Sequence, residues 1–247
     1  MSSMTGSTTV PRLDAAAFKR GAGSLRHPLA RALLALTFTT GLVDAVSYLA
    51  LGRVFTANMT GNVVLLGFGI AGSGGLPVVA PLVSLGAFLV GAGAGGLLVR
   101  RLAQRHPRLV ASGLAIETCL LAIAAVVAAI TTVHPGDASA YALIVLMASA
   151  MGVRNAVVRS IAVPDLTTTV LTMTLTGFAA ESRLAGGSGK GSLRRLAAVL
   201  AMLVGAVAGA LLLKSSVFAP LGLAAVLALA TWLVYVPAAV RLASTAQ

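Results

Sequence analysis

Three ionisable side chains, Asp44, Glu117 and Arg154, lie inside otherwise apolar runs. A charge at the centre of a membrane helix costs a few kcal/mol and is kept where it faces a partner or a watery cavity. Close behind Asp44 comes the polar string FTANMTGN, residues 55–62, which sets Asn58, Thr60 and Asn62 between GLVDAVSYLALGRV and VVLLGFGIAG. Amides and hydroxyls there can hold a polar solute or satisfy a broken backbone. The charges can bind an ion, relay a proton or pair with each other. An ion pair between Asp44 and Arg154 is the specific expectation, because the internal alignment below sets them at similar depths, with Asn155 opposite Asp44.

Other chemistry is poorly served. No Ser/His/Asp or Cys/His set is visible and no carboxylate pair has hydrolytic spacing, so no enzyme is expected. His27, His106 and His134 each precede a proline in loop-like sequence, and Cys119 has no partner for a disulfide. No metal site and no cofactor are expected. GAGAGG at 91–96 fits a dinucleotide fingerprint only literally, because it lies inside an apolar run with no strand before it. GGSGKGS at 186–192 lacks phosphate-loop spacing and reads as a flexible linker, and the glycosylation triplet at 58–60 falls where a membrane would hide it.

The elements that position these residues belong to a membrane protein. The chain has 247 residues, 58% of them hydrophobic and 10% charged, with a mean hydropathy of +0.98. Soluble proteins carry about 25% charged residues. The net charge of +12 does not indicate nucleic acid, because the basic residues stand at the ends of apolar runs rather than on a face with interleaved aromatics. The lipid bilayer is the expected partner. Six runs are long enough to span: 31–51, 77–99, 109–131, 140–162, 196–213 and 217–240. Two shorter segments, 54–72 and the threonine-threaded 165–181, are interrupted.

An internal repeat relates the two halves. LVGAGAGGLL at 89–98 and LVGAVAGALL at 203–212 agree at eight of ten positions, an offset of 114. GLVDAV at 41–46 and GVRNAV at 152–157 agree at four of six, an offset of 111. Between them, residues 57–62 fall opposite 169–174, so that Thr60 faces Thr172 and Asn62 faces Thr174, with Thr169 at the start of the matching segment. The pairs Gly91/Gly95 and Gly205/Gly209 are expected to bring helices of the two halves close together.

Charge chooses between two topologies. If both interrupted segments cross, there are eight spans in two parallel halves, and the loop RRLAQRHPR at 100–108 lies outside. If both enter and leave on one side, each half has three spans and the halves are inverted. Then 14 of the 18 basic residues face the cytoplasm, as the positive-inside rule asks. The expected fold is therefore an all-α bundle of about six transmembrane helices plus two short interrupted or re-entrant segments, in two inverted repeats. Residues 1–30 form a disordered basic tail, 31–135 and 136–241 the repeats, and 242–247 a short C-terminal tail, with both termini cytoplasmic.

The run GLVDAVSYLALGRVFTANMTGN, with MGVRNAVVRS and the threonine-rich stretch of the second half, resembles the YoaK-like family of small bacterial multi-pass membrane proteins. The resemblance covers the chain from about residue 30 and implies a bacterial inner-membrane location; it supplies no substrate. This chain departs from the family where a Thr-Gly step is expected and Met173 follows Thr172. The functional expectation is a secondary transporter or permease for a small polar solute. Its substrate-binding candidates are Asp44, Asn58, Thr60, Asn62, Arg154, Asn155, Thr169, Thr172 and Thr174. A passive channel and a non-transporting scaffold or sensor are the alternatives, and a homo-oligomer is compatible with each.

Overall fold

The computed structural model describes residues 28–102, 106–161, 171–189 and 191–245. The 1–27 part of the basic tail lies outside the described residues, as does Thr169. Eight α-helices make up the described chain: α1 Pro28–Ala50, α2 Met59–Ile70, α3 Val79–Leu102, α4 His106–Ile130, α5 Ala138–Ile161, α6 Leu171–Ala180, α7 Ser192–Leu212 and α8 Phe218–Thr245. No strand occurs among the described residues. All except α2 and α6 are long and apolar enough to cross a membrane, which gives six spans. Two boundaries differ from expectation. Helix α1 starts at Pro28, inside the expected tail, where proline's missing N–H is one the first turn leaves unbonded anyway. Helix α8 runs on to Thr245, so most of the expected C-terminal tail is helical.

Local chemistry explains how a helix as polar as α1 can be buried. Thr37, Thr39 and Thr40 donate their hydroxyls to the carbonyls of Leu33, Ala35 and Leu36, at 2.8, 3.0 and 2.9 Å, so no hydroxyl is stranded. The helix stops at Gly52, whose φ of 100° lets Arg53 N–H turn back to the Tyr48 carbonyl at 3.1 Å, a left-handed C-terminal cap.

Helices α1 and α5 are the most buried spans and sit at the centre. Helix α7 packs along α1 and α3 along α5, both parallel pairs held at backbone contact by glycine. A Cβ on Gly205 would strike Phe38, and one on Gly209 would meet Leu42 and Ala45. In the other pair a Cβ on Gly91 would strike Ser149, and one on Gly95 would meet Val153 and Ala156. Gly41 and Gly152 answer from the central helices, lying against the backbones of Met202 and Ala206 and of Phe88 and Ala92. The contacts of one pair therefore recur in the other at the sequence offsets of 111 and 114. Helices α4 and α8 pack on each other and on the central pair. One end of the bundle carries Tyr48 and Lys214, and the other carries Arg100, Arg101 and Arg159.

Gly93 has open space where its Cβ would be. Gly91→Val and Gly205→Val should each destabilise the bundle by about 3 kcal/mol, the upper end for overpacking, since backbone cannot yield as side chains do. Gly93→Val should leave the detergent-solubilised protein monodisperse at the native elution volume. Size-exclusion profiles and thermal unfolding of the three variants check this.

Candidate functional site

The polar groups gather in two places. The first surrounds the segment that joins α1 to α2. Asp44 lies six residues before the end of α1, about 9 Å below it. Its Oδ1 accepts the backbone N–H groups of Thr56 at 3.3 Å and Ala57 at 3.0 Å. The chain leaving α1 thus turns back alongside it. Asn62, fully buried on α2, accepts Phe55 N–H on Oδ1 at 2.8 Å and donates Nδ2 to the Phe55 carbonyl at 2.6 Å. Ser84, five residues into α3, donates to the same carbonyl at 2.7 Å. A non-helical stretch, Phe55–Ala57, is thereby held inside the bundle, its three N–H groups and the Phe55 carbonyl bonded to side chains of three helices. The loops on either side of this segment, near Arg53 and near Pro77, line one cleft with Pro135 of the α4–α5 connection, so both leave at the same end.

The neighbouring candidates divide. Asn58 caps α2, its Oδ1 accepting Gly61 N–H at 3.1 Å, and is exposed. Thr60 is exposed. In the second half, Thr174 is buried like Asn62 and Thr172 is exposed like Thr60, so the alignment pairs residues of equal burial. Asn155 is half-buried, with Nδ2 donated to the Met151 carbonyl at 2.9 Å.

The second gathering is a polar layer across the bundle. Arg154 on α5 does not pair with Asp44, which corrects the ion pair expected from the alignment. Its guanidinium instead forms a bidentate pair with Glu117 on α4, Nε to Oε2 at 2.9 Å and Nη2 to Oε1. Nη1 reaches α1 and donates to the Leu36 carbonyl at 2.9 Å and Thr40 Oγ1 at 2.7 Å. The physical reason is geometric. Asp44 is taken up by backbone N–H groups, while Glu117 offers two oxygens to a planar fork. Both partners are about 1% exposed. With Thr37, Thr40 and Thr231, also buried, the pair separates two apolar clusters, one around Leu42, Leu121 and Met151 and one around Leu33, Leu109 and Val157.

Phe55, Ser84 and Thr40 were missed in the sequence, and Glu117 was noticed without its partner. One signal was present: Thr37, Thr40, Asp44 and Ser47 recur every three or four residues, which puts a polar stripe on one face of an apolar helix.

Removing one partner of a buried pair leaves an uncompensated charge, so Glu117→Leu or Arg154→Leu should each lose about 3–5 kcal/mol, and the double variant should recover much of it. Asn62→Ala should cost about 2 kcal/mol by stranding Phe55 N–H, against about 1 kcal/mol for loss of the exposed cap in Asn58→Ala. Thermal denaturation in detergent, read for all five variants, tests both statements.

The sequence matches the family model described as "Protein of unknown function (DUF1275)" over residues 32–234, from the second turn of α1 into α8. It is similar to the UPF0700 transmembrane protein YoaK of Bacillus subtilis (strain 168), 36% identical over 141 residues, which is 57% of this chain. The chain spans 61% of the length of that relative. No solved structure matches. Six apolar helices and a family match that runs through all of them lead to one conclusion: the chain is a multi-pass membrane protein and belongs to the DUF1275 family.

Proposed function

We propose that the protein is a secondary transporter or permease for a small polar solute, built from two inverted halves with the solute site between them. The observation that carries this is the Phe55–Ala57 segment, non-helical backbone held inside the bundle by Asp44, Asn62 and Ser84. Lipid cannot bond such backbone, so it survives at membrane depth where protein buries it or a cavity adjoins it. Interrupted segments at matching positions of two halves are the sequence mark of a transporter site near the midplane. Helices α2 and α6 are that pair.

Two further features support the inverted arrangement. The glycine contacts of α1 with α7 recur between α5 and α3. Helices α1 and α5, which correspond in sequence, start from opposite ends of the bundle. A twofold axis in the membrane plane accounts for both. The basic Arg100 end is then cytoplasmic with both termini, in a bacterial inner membrane, and the Tyr48 end faces outward. The packed apolar clusters on either side of the Arg154 layer, and a void of only about 20 Å³ beside it, disfavour a passive channel. Alternating exposure of the polar layer would instead require the central helices to shift against α3 and α7.

Two measurements test the proposal. In a Cys119→Ser background, a cysteine at exposed Ser73 should react with a membrane-impermeant maleimide in intact cells; reaction only after permeabilisation would mean eight spans and parallel halves. Proteoliposomes given a panel of small polar solutes under a proton or sodium gradient should show saturable, gradient-dependent uptake of at least one. Non-saturating flux would assign a channel. No flux, with Asn62→Ala altering only stability, would assign a scaffold.

A further inference from the structure

A cleft of about 720 Å³ lies at the Tyr48 end, where three loops meet. Tyr48, Gly52 and Arg53 come from the end of α1, Gly75 and Pro77 from the turn before α3, and Gly136 and Tyr141 from the start of α5. None of its lining residues is acidic. Asp137, next to Gly136, is turned to His134 Nδ1 at 3.4 Å. Arg53 is the one cation in the lining, and its guanidinium makes no hydrogen bond or ion pair with any described residue.

The wall beside Arg53 is built, not incidental. Tyr48 stacks on Phe55 with ring centroids 5.0 Å apart and planes 24° from parallel. Phe55 is the residue that Asn62 and Ser84 grip by its backbone. Arg53 itself has a φ of 56°, the one non-glycine residue with positive φ among the described residues. Such a conformation is disfavoured for a long side chain and is tolerated best by Gly and Asn. Gly52 and Gly136, both with positive φ, leave backbone uncovered at the same cleft. A free guanidinium offers a planar fork suited to carboxylate or phosphate, and tyrosine hydroxyls can add donors beside it.

We infer that this cleft binds a small anion bearing a carboxylate or phosphate group, with Arg53 as its cationic contact and Tyr48 and Tyr141 as its walls. The inference rests on the transporter proposal only in giving that solute its charge; binding is tested without transport. The same chemistry fits a free anion and the phosphate of a lipid headgroup.

Purified protein in nanodiscs of purely zwitterionic lipid should be titrated calorimetrically with acetate, inorganic phosphate and glycerol phosphate, against chloride at matched ionic strength. Arg53→Asn keeps the left-handed backbone while removing the charge, Arg53→Lys keeps the charge, and Lys214→Ala removes the other basic residue at this end. At least one probe should bind saturably. Arg53→Asn should weaken it about tenfold or more, as loss of a charge-assisted hydrogen bond does, with Arg53→Lys between and Lys214→Ala unchanged. If no soluble probe binds but native mass spectrometry shows phosphatidylglycerol retained by the wild type and lost from Arg53→Asn, the site stands and its ligand is a headgroup. Binding that Arg53→Asn leaves intact, or neither probe nor lipid retained, overturns it. Arg53-dependent binding without flux in proteoliposomes would keep the site and remove the transporter assignment.

Discussion

Buried backbone must find hydrogen bonds, and the three residues Phe55–Ala57 carry theirs inside the bundle without a helix ladder to satisfy them. Everything at the Tyr48 end depends on how that need is met. Asp44 takes two N–H groups from the side of α1, while Asn62 and Ser84 take the Phe55 amide and carbonyl from α2 and α3. Five side-chain hydrogen bonds thereby replace the ladder that a continuous helix would have supplied. With the segment fixed, Phe55 can present its ring to Tyr48, and the loop above it can hold Arg53 at the cleft.

The second constraint is the distance between helices. In a bilayer the apolar effect does little to press one helix on another, so close approach has to come from small residues. Here the crossings of α1 with α7 and α3 with α5 are set by glycine on both sides, backbone against backbone. That closeness leaves room for few side chains between the helices. Ionic and polar groups are accordingly concentrated on the faces where α1, α4 and α5 meet, with Arg154 bonding to the other two helices at once. The matching site in the other half has Val43 in place of Arg154, so the charged layer is not repeated.

The spans were legible in the sequence because hydropathy and length decide them almost alone, and the glycine pairs were legible because they repeat. Burial of Asn62 and Thr174, and exposure of Thr60 and Thr172, follow the alignment of the halves. What the sequence hid was partner choice. Asp44 and Arg154 stand at similar depths, yet depth does not say which way a side chain points round its helix. Glu117 lies 37 positions from Arg154 on a different span, and only the packing angle brings them together. Ser84 and Phe55 were likewise invisible: a serine in a span and a phenylalanine in a loop carry no distinguishing signal until a backbone carbonyl is found between them. The fate of Asn58, a helix cap rather than an inward-facing ligand, could have been anticipated from its place three residues before Gly61 at a helix start.

The parallel pairing of α1 with α7 has a consequence for how the chain is made. Helix α1 is complete at Ala50, but the glycines it lies against first appear in α7, which starts at Ser192. At ordinary rates of synthesis the ribosome needs roughly ten to thirty seconds to deliver them. During that interval α1 must wait in the bilayer with Asp44 in it. The N–H groups that bond its carboxyl in the folded chain belong to Thr56 and Ala57, only 12 and 13 positions downstream, and so are made long before α7. The polar turn that bonds Asp44 is thus a local feature of the chain, independent of the helix that completes the packing of α1.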